Sequence, residues 1–377
     1  MRELQMVDLK SQYNKIKEEV AFSIFECIED ATFINGPQVK SFAQNLSEYL
    51  GVKSVVPCGN GTDALQIAMM ALDLQPGDEV IVPSFTYIAT AEVICLLGLI
   101  PVMVDVDPFT FNIDVKELEK AITPKTRAIV PVHLFGQSVP MEEIMTIANK
   151  YGIYVIEDTA QAIGAKYTFS DGRTTSVGSI GHIGCTSFFP SKNLGCYGDG
   201  GAIFTNDLEL GAKIRMIANH GQERKYVHKC IGVNSRLDSL QAAVLNVKLK
   251  YLNEYAEARY RAAAYYSKSL KGIEGIVTPI EVPFSTHVYH QYTLITMDGR
   301  RDELKLFLEN NNVPSMIYYP IPLFEQDAFQ GKGIKVGNLP VTTELCKSVI
   351  SLPMHTELSI DQQDYIVERI RDFFKNT

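Results

Sequence analysis

The sequence contains no tryptophan, and its seven cysteines never fall into a C-x-x-C pair. Cys27, Cys58, Cys95, Cys185, Cys196, Cys230 and Cys346 are scattered and odd in number, which argues against a disulfide framework and against a structural zinc site. Free thiols in a reducing cytoplasm fit them better. The seven histidines show no metal-ligand spacing either, so no metal is expected. No apolar run reaches the length of a membrane span, and the polar start MRELQMVDLKSQYNK lacks the basic-then-apolar order of a signal peptide. A soluble, cytoplasmic protein without a membrane partner is the expectation. No block of lysine and arginine appears: 35 basic against 44 acidic residues leave a net charge of -9, which argues against a nucleic-acid partner. Internal repeats and low-complexity linkers are also missing.

What is present is the balance of a globular enzyme-sized chain, with 46% hydrophobic and 21% charged residues in 377. That length suggests two domains. Two helices are expected first, at about 11–30 and 39–50, the second ending at Gly51 as a C-terminal cap. From there apolar strands alternate with helices. SVVPC, EVIVP, PVMVDV, RAIVPV and YVIED read as strands, with helical patterns such as TDALQIAMMALDL and MEEIMTIANKYG between them. Strands apolar throughout, alternating with helices, predict an α/β fold with a mostly parallel sheet covered on both faces. Further strands are expected near 185–189 and 201–205. After Asn206 the character changes to a helix at about 207–218, a long helical stretch at about 238–268, the strand-like YHQYTLITM, and helices near 301–311 and 360–374. The expected division is a large domain over 1–250 and a smaller α/β domain over 251–377.

Three segments carry chemistry. GNGTDAL (59–65) stands between a strand and a helix, and the start of a helix offers free N–H groups and a positive dipole end, suited to a phosphate. An ordinary capped turn would look the same. YVIEDTAQAIGA (154–165) ends a buried strand in Glu157-Asp158, where ligands of open α/β sheets bind. Asp158 could hold a heteroaromatic nitrogen protonated, with Gln161 beside it on a ring oxygen, or it could cap a following helix. CTSFFPSKNLGCYGDGGAIFTN (185–206) places Lys192 in a glycine-rich loop between two strands, with Ser187 close enough to be a second phosphate ligand. A lysine enclosed in such a loop can lose its proton and act as nucleophile or base. A phosphate cradle, an acid for a pyridine nitrogen and a lysine together match one cofactor, pyridoxal 5′-phosphate.

NGTDAL, EDTAQAIGA, SFFPSKNLGCYGDGGAIFTN and GVNSRLDSLQAA resemble the DegT/DnrJ/EryC1/StrS sugar aminotransferases, and the similarity runs over nearly the whole chain, about 5–355. The resemblance implies the type I pyridoxal-phosphate transferase fold, like aspartate aminotransferase, and a homodimer with shared active sites. It implies that Lys192 holds the cofactor, that Asp158 pairs with the ring nitrogen, and that Gln161 meets the ring hydroxyl. Tyr87 matches the aromatic that stacks on the ring, and Gly61, Thr62 and Ser187 match phosphate contacts. Asn234 matches a phosphate ligand donated by the partner subunit, and Arg236 a residue near the sugar or the amino donor's carboxylate. Catalysis would fall to Lys192 and Asp158, with L-glutamate as donor and a nucleotide-linked keto sugar as acceptor.

Within the family, the wording NGTDALQIA, SFFPSKNLGCYGDGG and NSRLDSLQAA resembles enzymes that aminate carbon 3. Among these it is most similar to those for UDP-2-acetamido-2-deoxy-3-oxo-glucuronate, used in lipopolysaccharide synthesis; a second subgroup uses dTDP-3-oxo-6-deoxyhexoses. One departure concerns YYPIPLFEQ, where Tyr318 stands in place of the histidine usual before Tyr-Pro in the uronate enzymes. Tyr318 and Tyr319 could still bond the sugar, and Arg236 could supply the cation for a carboxylate. A dehydratase of the same fold would carry histidine at the lysine position, and Lys192 argues against it. A non-catalytic relative would not be expected to keep Asp158, Gln161 and Lys192 together.

Overall fold

Alternating strands and helices assemble, in a computed structural model that describes residues 2–375, into one eight-stranded sheet. Its order is Ser54–Cys58, Gly201–Thr205, Ile183–Ser187, Tyr154–Asp158, Thr126–Ile129, Glu79–Pro83, Ile100–Val104 and Lys335–Val336. All run parallel except Gly201–Thr205, which is antiparallel to both neighbours. Glu79–Pro83 and Gly201–Thr205 are buried from end to end, and Tyr154–Asp158 is buried beyond its first residue, as a sheet covered on both faces requires. Helix Gly61–Ala71 packs across Ile183–Ser187 and Gly201–Thr205 and buries Ala64, Leu65, Ile67, Ala68 and Met69. On the other face Phe42, Leu46, Phe188, Leu194, Phe204 and Leu245 form a second cluster beneath helices Pro37–Leu50 and Ser239–Leu249.

A second, antiparallel sheet joins Ile276–Val277, Tyr292–Thr296 and Val349–Leu352. Its cluster includes Ala263, Tyr266, Tyr292, Leu294, Ile350 and Ile370, with helices Leu252–Leu270 and Ile360–Lys375 supplying part of it. Leu4, near the start of the chain, also belongs to this cluster. In the other direction, Lys335–Val336 returns to pair with Ile100–Val104 in the large sheet.

Three details differ from the sequence expectation. The long helical stretch is two helices, broken at Lys250 and Tyr251, whose amides bond Val247 and Lys248 three residues back. Neither glycine nor proline marks that break. The polar segment after residue 165 forms a hairpin of Lys166–Thr168 with Thr174–Ser176. Helix Pro340–Ser348 runs directly into strand Val349–Leu352. All seven cysteines are free thiols. Among the described residues no helix is long and apolar enough to cross a membrane, and no cluster of metal-ligating side chains forms.

Candidate active site

The carboxyl ends of the large sheet open into a cavity of about 820 Å³. Three loops build its chemical wall, each from one of the segments above. Strand Tyr154–Asp158 delivers Asp158, 6% exposed, at its last position. Asp158 Oδ2 accepts from Thr90 Oγ1 at 3.0 Å and Oδ1 from the Ala160 amide at 3.0 Å. Residues after Asp158 form successive turns rather than a helix, so the carboxylate caps a turn and faces the cavity at once. Burial raises its pKa, against the two hydrogen bonds and the positive charge of Lys192.

Lys192 sits on the same cavity, in the loop between Ile183–Ser187 and Gly201–Thr205, with its own amide bonded to the Phe189 carbonyl at 2.8 Å. Desolvation brings its amine down from 10.5 to about 8, partly offset by the charge of Asp158. An amine so shifted is substantially neutral at mildly alkaline pH, the state a nucleophile or base needs.

The phosphate-like end is the start of helix Gly61–Ala71. Asn60 caps it: its side chain accepts from Asp63 N at 2.8 Å, and its carbonyl accepts from Ala64 N at 3.1 Å. The amides of Gly61 and Thr62 have no intrahelical acceptor, as at any helix start, and both residues line the cavity. Ser187 closes the other side. A Cβ on Gly61 would lie 2.6 Å from the Ser187 Cβ, so only glycine lets the two segments approach. The Ser187 hydroxyl accepts from Phe189 N at 3.2 Å and keeps its own proton to donate. Two free amides, a serine hydroxyl and a helix dipole form a cradle suited to a phosphate.

Gln161 is more constrained than its sequence position suggests. Its Oε1 accepts from the Phe135 amide at 2.8 Å, and its Nε2 donates to the Tyr319 hydroxyl at 3.1 Å. One Nε2 hydrogen is left for a ligand. Tyr87 lines the cavity mouth at 58% exposure, its ring 6.3 Å from that of Tyr319. Tyr318 is also on the wall, and burial raises the pKa of both tyrosines, so they stand as neutral phenols. Asn234 and Arg236 are not on the wall of their own chain's cavity. Ser235, between them, donates to Asp63 Oδ2 at 2.6 Å and accepts from Gly59 N at 2.9 Å, which pins that segment against the outside of the phosphate-like turn.

Several cavity residues escaped the sequence reading. Thr90 holds Asp158 from the first turn of helix Ala89–Leu96. His290, 6% exposed, lines the wall and meets Asn193 Oδ1 through Nδ1 at 3.3 Å. Asn193 spends its Nδ2 on the Val288 carbonyl, so its Oδ1 is the acceptor and His290 carries the proton on Nδ1. Burial first, then the charges of Lys192 and Arg259, pushes His290 well below its ordinary pKa. Its start in the alternating run YHQYTLITM was the one signal. Phe135, with φ of 57°, links two walls: its amide serves Gln161, and its carbonyl accepts from His290 N at 2.8 Å. Behind the wall, His133 Nε2 donates to Glu157 at 3.0 Å, while its Nδ1 accepts from the Val139 amide.

The DegT/DnrJ/EryC1/StrS aminotransferase family matches residues 14–371. The chain is 47% identical to a pleiotropic regulatory protein of Geobacillus stearothermophilus, over 98% of each chain. It is 48% identical to the UDP-2-acetamido-2-deoxy-3-oxo-D-glucuronate aminotransferase of Pseudomonas aeruginosa, over 94% of this chain and 96% of the other. It is 43% identical to a UDP-N-acetyl-3-dehydro-alpha-D-glucosamine 3-aminotransferase of Acidithiobacillus ferrooxidans, over 98% and 97%. Among solved structures, NtdA of Bacillus subtilis with the bound cofactor PMP superposes with a TM-score of 0.89 at 32% identity, covering 98% of this chain and 83% of that one.

Proposed function

The chain belongs to the DegT/DnrJ/EryC1/StrS aminotransferase family, and from that membership and the cavity we propose that it is a pyridoxal-phosphate enzyme moving the amino group of L-glutamate to carbon 3 of a nucleotide-linked 3-keto sugar. The sugar we assign is UDP-2-acetamido-2-deoxy-3-oxo-glucuronate, and the product's use is in lipopolysaccharide or another surface glycan made from the cytoplasm. The observation that carries the reading is one cavity on which an amine brought to about 8, a buried carboxylate and the free start of a helix converge.

The cofactor's phosphate would be held by the Gly61 and Thr62 amides with Ser187, its ring nitrogen by Asp158, and its ring hydroxyl by the remaining Nε2 hydrogen of Gln161, with Tyr87 against the ring face. Bound there, pyridoxal phosphate supplies an aldehyde for amines and a ring that accepts negative charge from an adjacent carbon. Lys192 would hold that aldehyde, and its amine, brought to about 8, would be free to carry a proton on Nζ when not so engaged. Asp158 would pair with the ring nitrogen, and a cationic ring beside it would favour its carboxylate form and so keep the proton on that nitrogen. Thr90 and Ala160 fix the direction of that carboxylate. His133 and Glu157 brace the strand end behind it. Two half-reactions through one site predict ping-pong kinetics.

Asn234 and Arg236, which lie outside their own chain's cavity, would serve that of a second copy. An exposed apolar stripe on helix Leu9–Glu29, formed by Phe22, Phe25 and Ile28, continues into Phe33 and Ile34 and supports such a homodimer. The large and small domains would meet near residue 250, where two helices adjoin. Among the described residues on the cavity wall, Lys192 is the only lysine or arginine. A uronate carboxylate would therefore rely on Arg236 of the partner subunit. The same observation favours a second substrate class, a dTDP-3-oxo-6-deoxyhexose, which has no carboxylate and would meet the phenols of Tyr318 and Tyr319.

Absorbance of the purified protein before and after L-glutamate tests the reaction. The expected result is a yellow band that bleaches to the pyridoxamine form and returns on adding the UDP-3-oxo-uronate. Return with the dTDP sugar alone would replace the assigned substrate. No band after reconstitution with pyridoxal phosphate would overturn the cofactor assignment.

A further inference from the structure

The loop that bears Lys192 is held from behind by a second lysine. Lys248, in the last turn of helix Ser239–Leu249, is 2% exposed and donates from Nζ to the Gly195 carbonyl at 2.7 Å. The same Nζ lies 4.8 Å from the centre of the Tyr197 ring. From the first turn of that helix, Gln241 closes a two-way pair with the Tyr197 backbone. Its Oε1 accepts from Tyr197 N at 2.8 Å and its Nε2 donates to Tyr197 O at 3.3 Å. The loop is folded tightly enough that a Cβ on Gly195 would sit 2.3 Å from the Pro190 carbonyl oxygen. Gly195 is therefore locked on both sides, by Pro190 within the loop and by Lys248 behind it, three residues from Lys192.

Stability does not account for this lysine. Burial lowers its amine to about 8, opposed only by the Cys196 thiol, and among the described residues no carboxylate forms an ion pair with it. An isolated buried ammonium is costly, and an apolar side chain of similar volume is commonly neutral or stabilising in its place. What Lys248 does supply is a directed hydrogen bond to one carbonyl of the loop that bears Lys192.

We propose that Lys248, assisted by Gln241, is a positioning residue that fixes the Gly195–Tyr197 stretch so that Lys192 presents its amine to the cavity. The proposal rests on the reading of Lys192 as the cofactor lysine. A loop released on its far side lets Nζ of Lys192 wander, and misplacement of a reacting group by about 1 Å can cost about 100-fold in rate.

The test compares wild type, Lys248→Met, Gln241→Ala and Lys192→Ala as apoproteins. Three readouts are taken: thermal midpoint, hydrogen exchange of the Lys192 and Cys196 amides, and the rate at which added pyridoxal phosphate is captured. For Lys248→Met we expect a midpoint at or above wild type, loop exchange faster by about 10-fold or more, and capture slower by about 10-fold or more. Gln241→Ala should shift both in the same direction by about 3-fold, and it decides the matter if Lys248→Met is insoluble. Wild-type loop exchange and capture in the folded variants would overturn the proposal. So would a fallen midpoint with faster exchange throughout the chain, which marks a merely structural role. Borohydride-stable attachment of the cofactor to Lys192→Ala would overturn the reading of Lys192 instead, leaving the loop-exchange result to stand by itself.

Discussion

The two sides of the lysine loop present the same chemistry in opposite settings. On the cavity side Lys192 is brought to about 8 by desolvation, with Asp158 pulling the other way; behind the loop Lys248 is brought to about 8 by the same cause. Only Lys192 borders open space, and only Lys192 has a carboxylate for a neighbour. A lowered amine pKa therefore reports burial, and reactivity needs the cavity besides. The electrostatic consequence is shared. Both amines titrate lower in the folded chain than in the unfolded one, where 10.5 applies, so each burial penalty is present below about pH 8 and is relieved as pH rises from about 8 toward 10.5.

The sharpest way to break the comparison is Lys192→Ala. That protein keeps Lys248 with its lowered pKa, yet it should fold, with a midpoint at or above wild type at pH 7, and lose transamination by at least about 10³-fold. Turnover at wild-type rates, or cofactor attached through Lys248, would show that burial alone makes a lysine reactive here. Next in size is Asp158→Asn. The side chain keeps its shape and loses its charge, so the ring nitrogen loses its partner, and the glutamate half-reaction should slow by about 10²-fold when followed by stopped-flow absorbance. Asp158 is raised above its ordinary pKa in the cofactor-free fold, which means its charge opposes folding once pH exceeds the unfolded value. The apoprotein of Asp158→Asn should accordingly be no less stable than wild type at pH 7, while the loaded enzyme is slower.

A smaller effect sharpens the contrast through pH. Capture of pyridoxal phosphate by the apoprotein requires a neutral Lys192, so its rate should climb about 10-fold per unit below pH 8 and level off above it. In Asp158→Asn the midpoint should move to lower pH, because the carboxylate that raises the amine's pKa is gone. A midpoint that stays near 10.5 would mean Lys192 is solvated rather than enclosed.

The parallel sheet was legible because the strands between Glu79 and Asp158 are mostly apolar and alternate with helices that have their own period. The stretch VISL was not, because it follows helix Pro340–Ser348 with no glycine or proline between. The break at Lys250–Tyr251 was hidden for the same reason. At the site, Lys192, Asp158 and Gly61 stand in local patterns that chemistry makes recognisable from a few neighbours. Thr90, Phe135, His290 and Lys248 act through partners far along the chain, and nothing next to them in sequence announces it. Lys248 in particular reads as an ordinary amphipathic helix residue until the fold places Gly195 against it.

Tyr319→Phe probes the least costly link between the two walls of the cavity. The phenol accepts from Gln161 Nε2, whose Oε1 is already committed to Phe135. Losing the hydroxyl leaves Gln161 held by one hydrogen bond instead of two, and a single neutral bond of this kind contributes about 1 kcal/mol. Cofactor affinity, read from a titration of the apoprotein, should weaken about 5-fold, and the pH midpoint of capture should stay near 8 because no charge is removed. A loss as large as that of Asp158→Asn would place the phenol in the chemistry itself rather than beside it, and would make the Tyr319 wall, not the Lys192 loop, the more reactive side of the cavity.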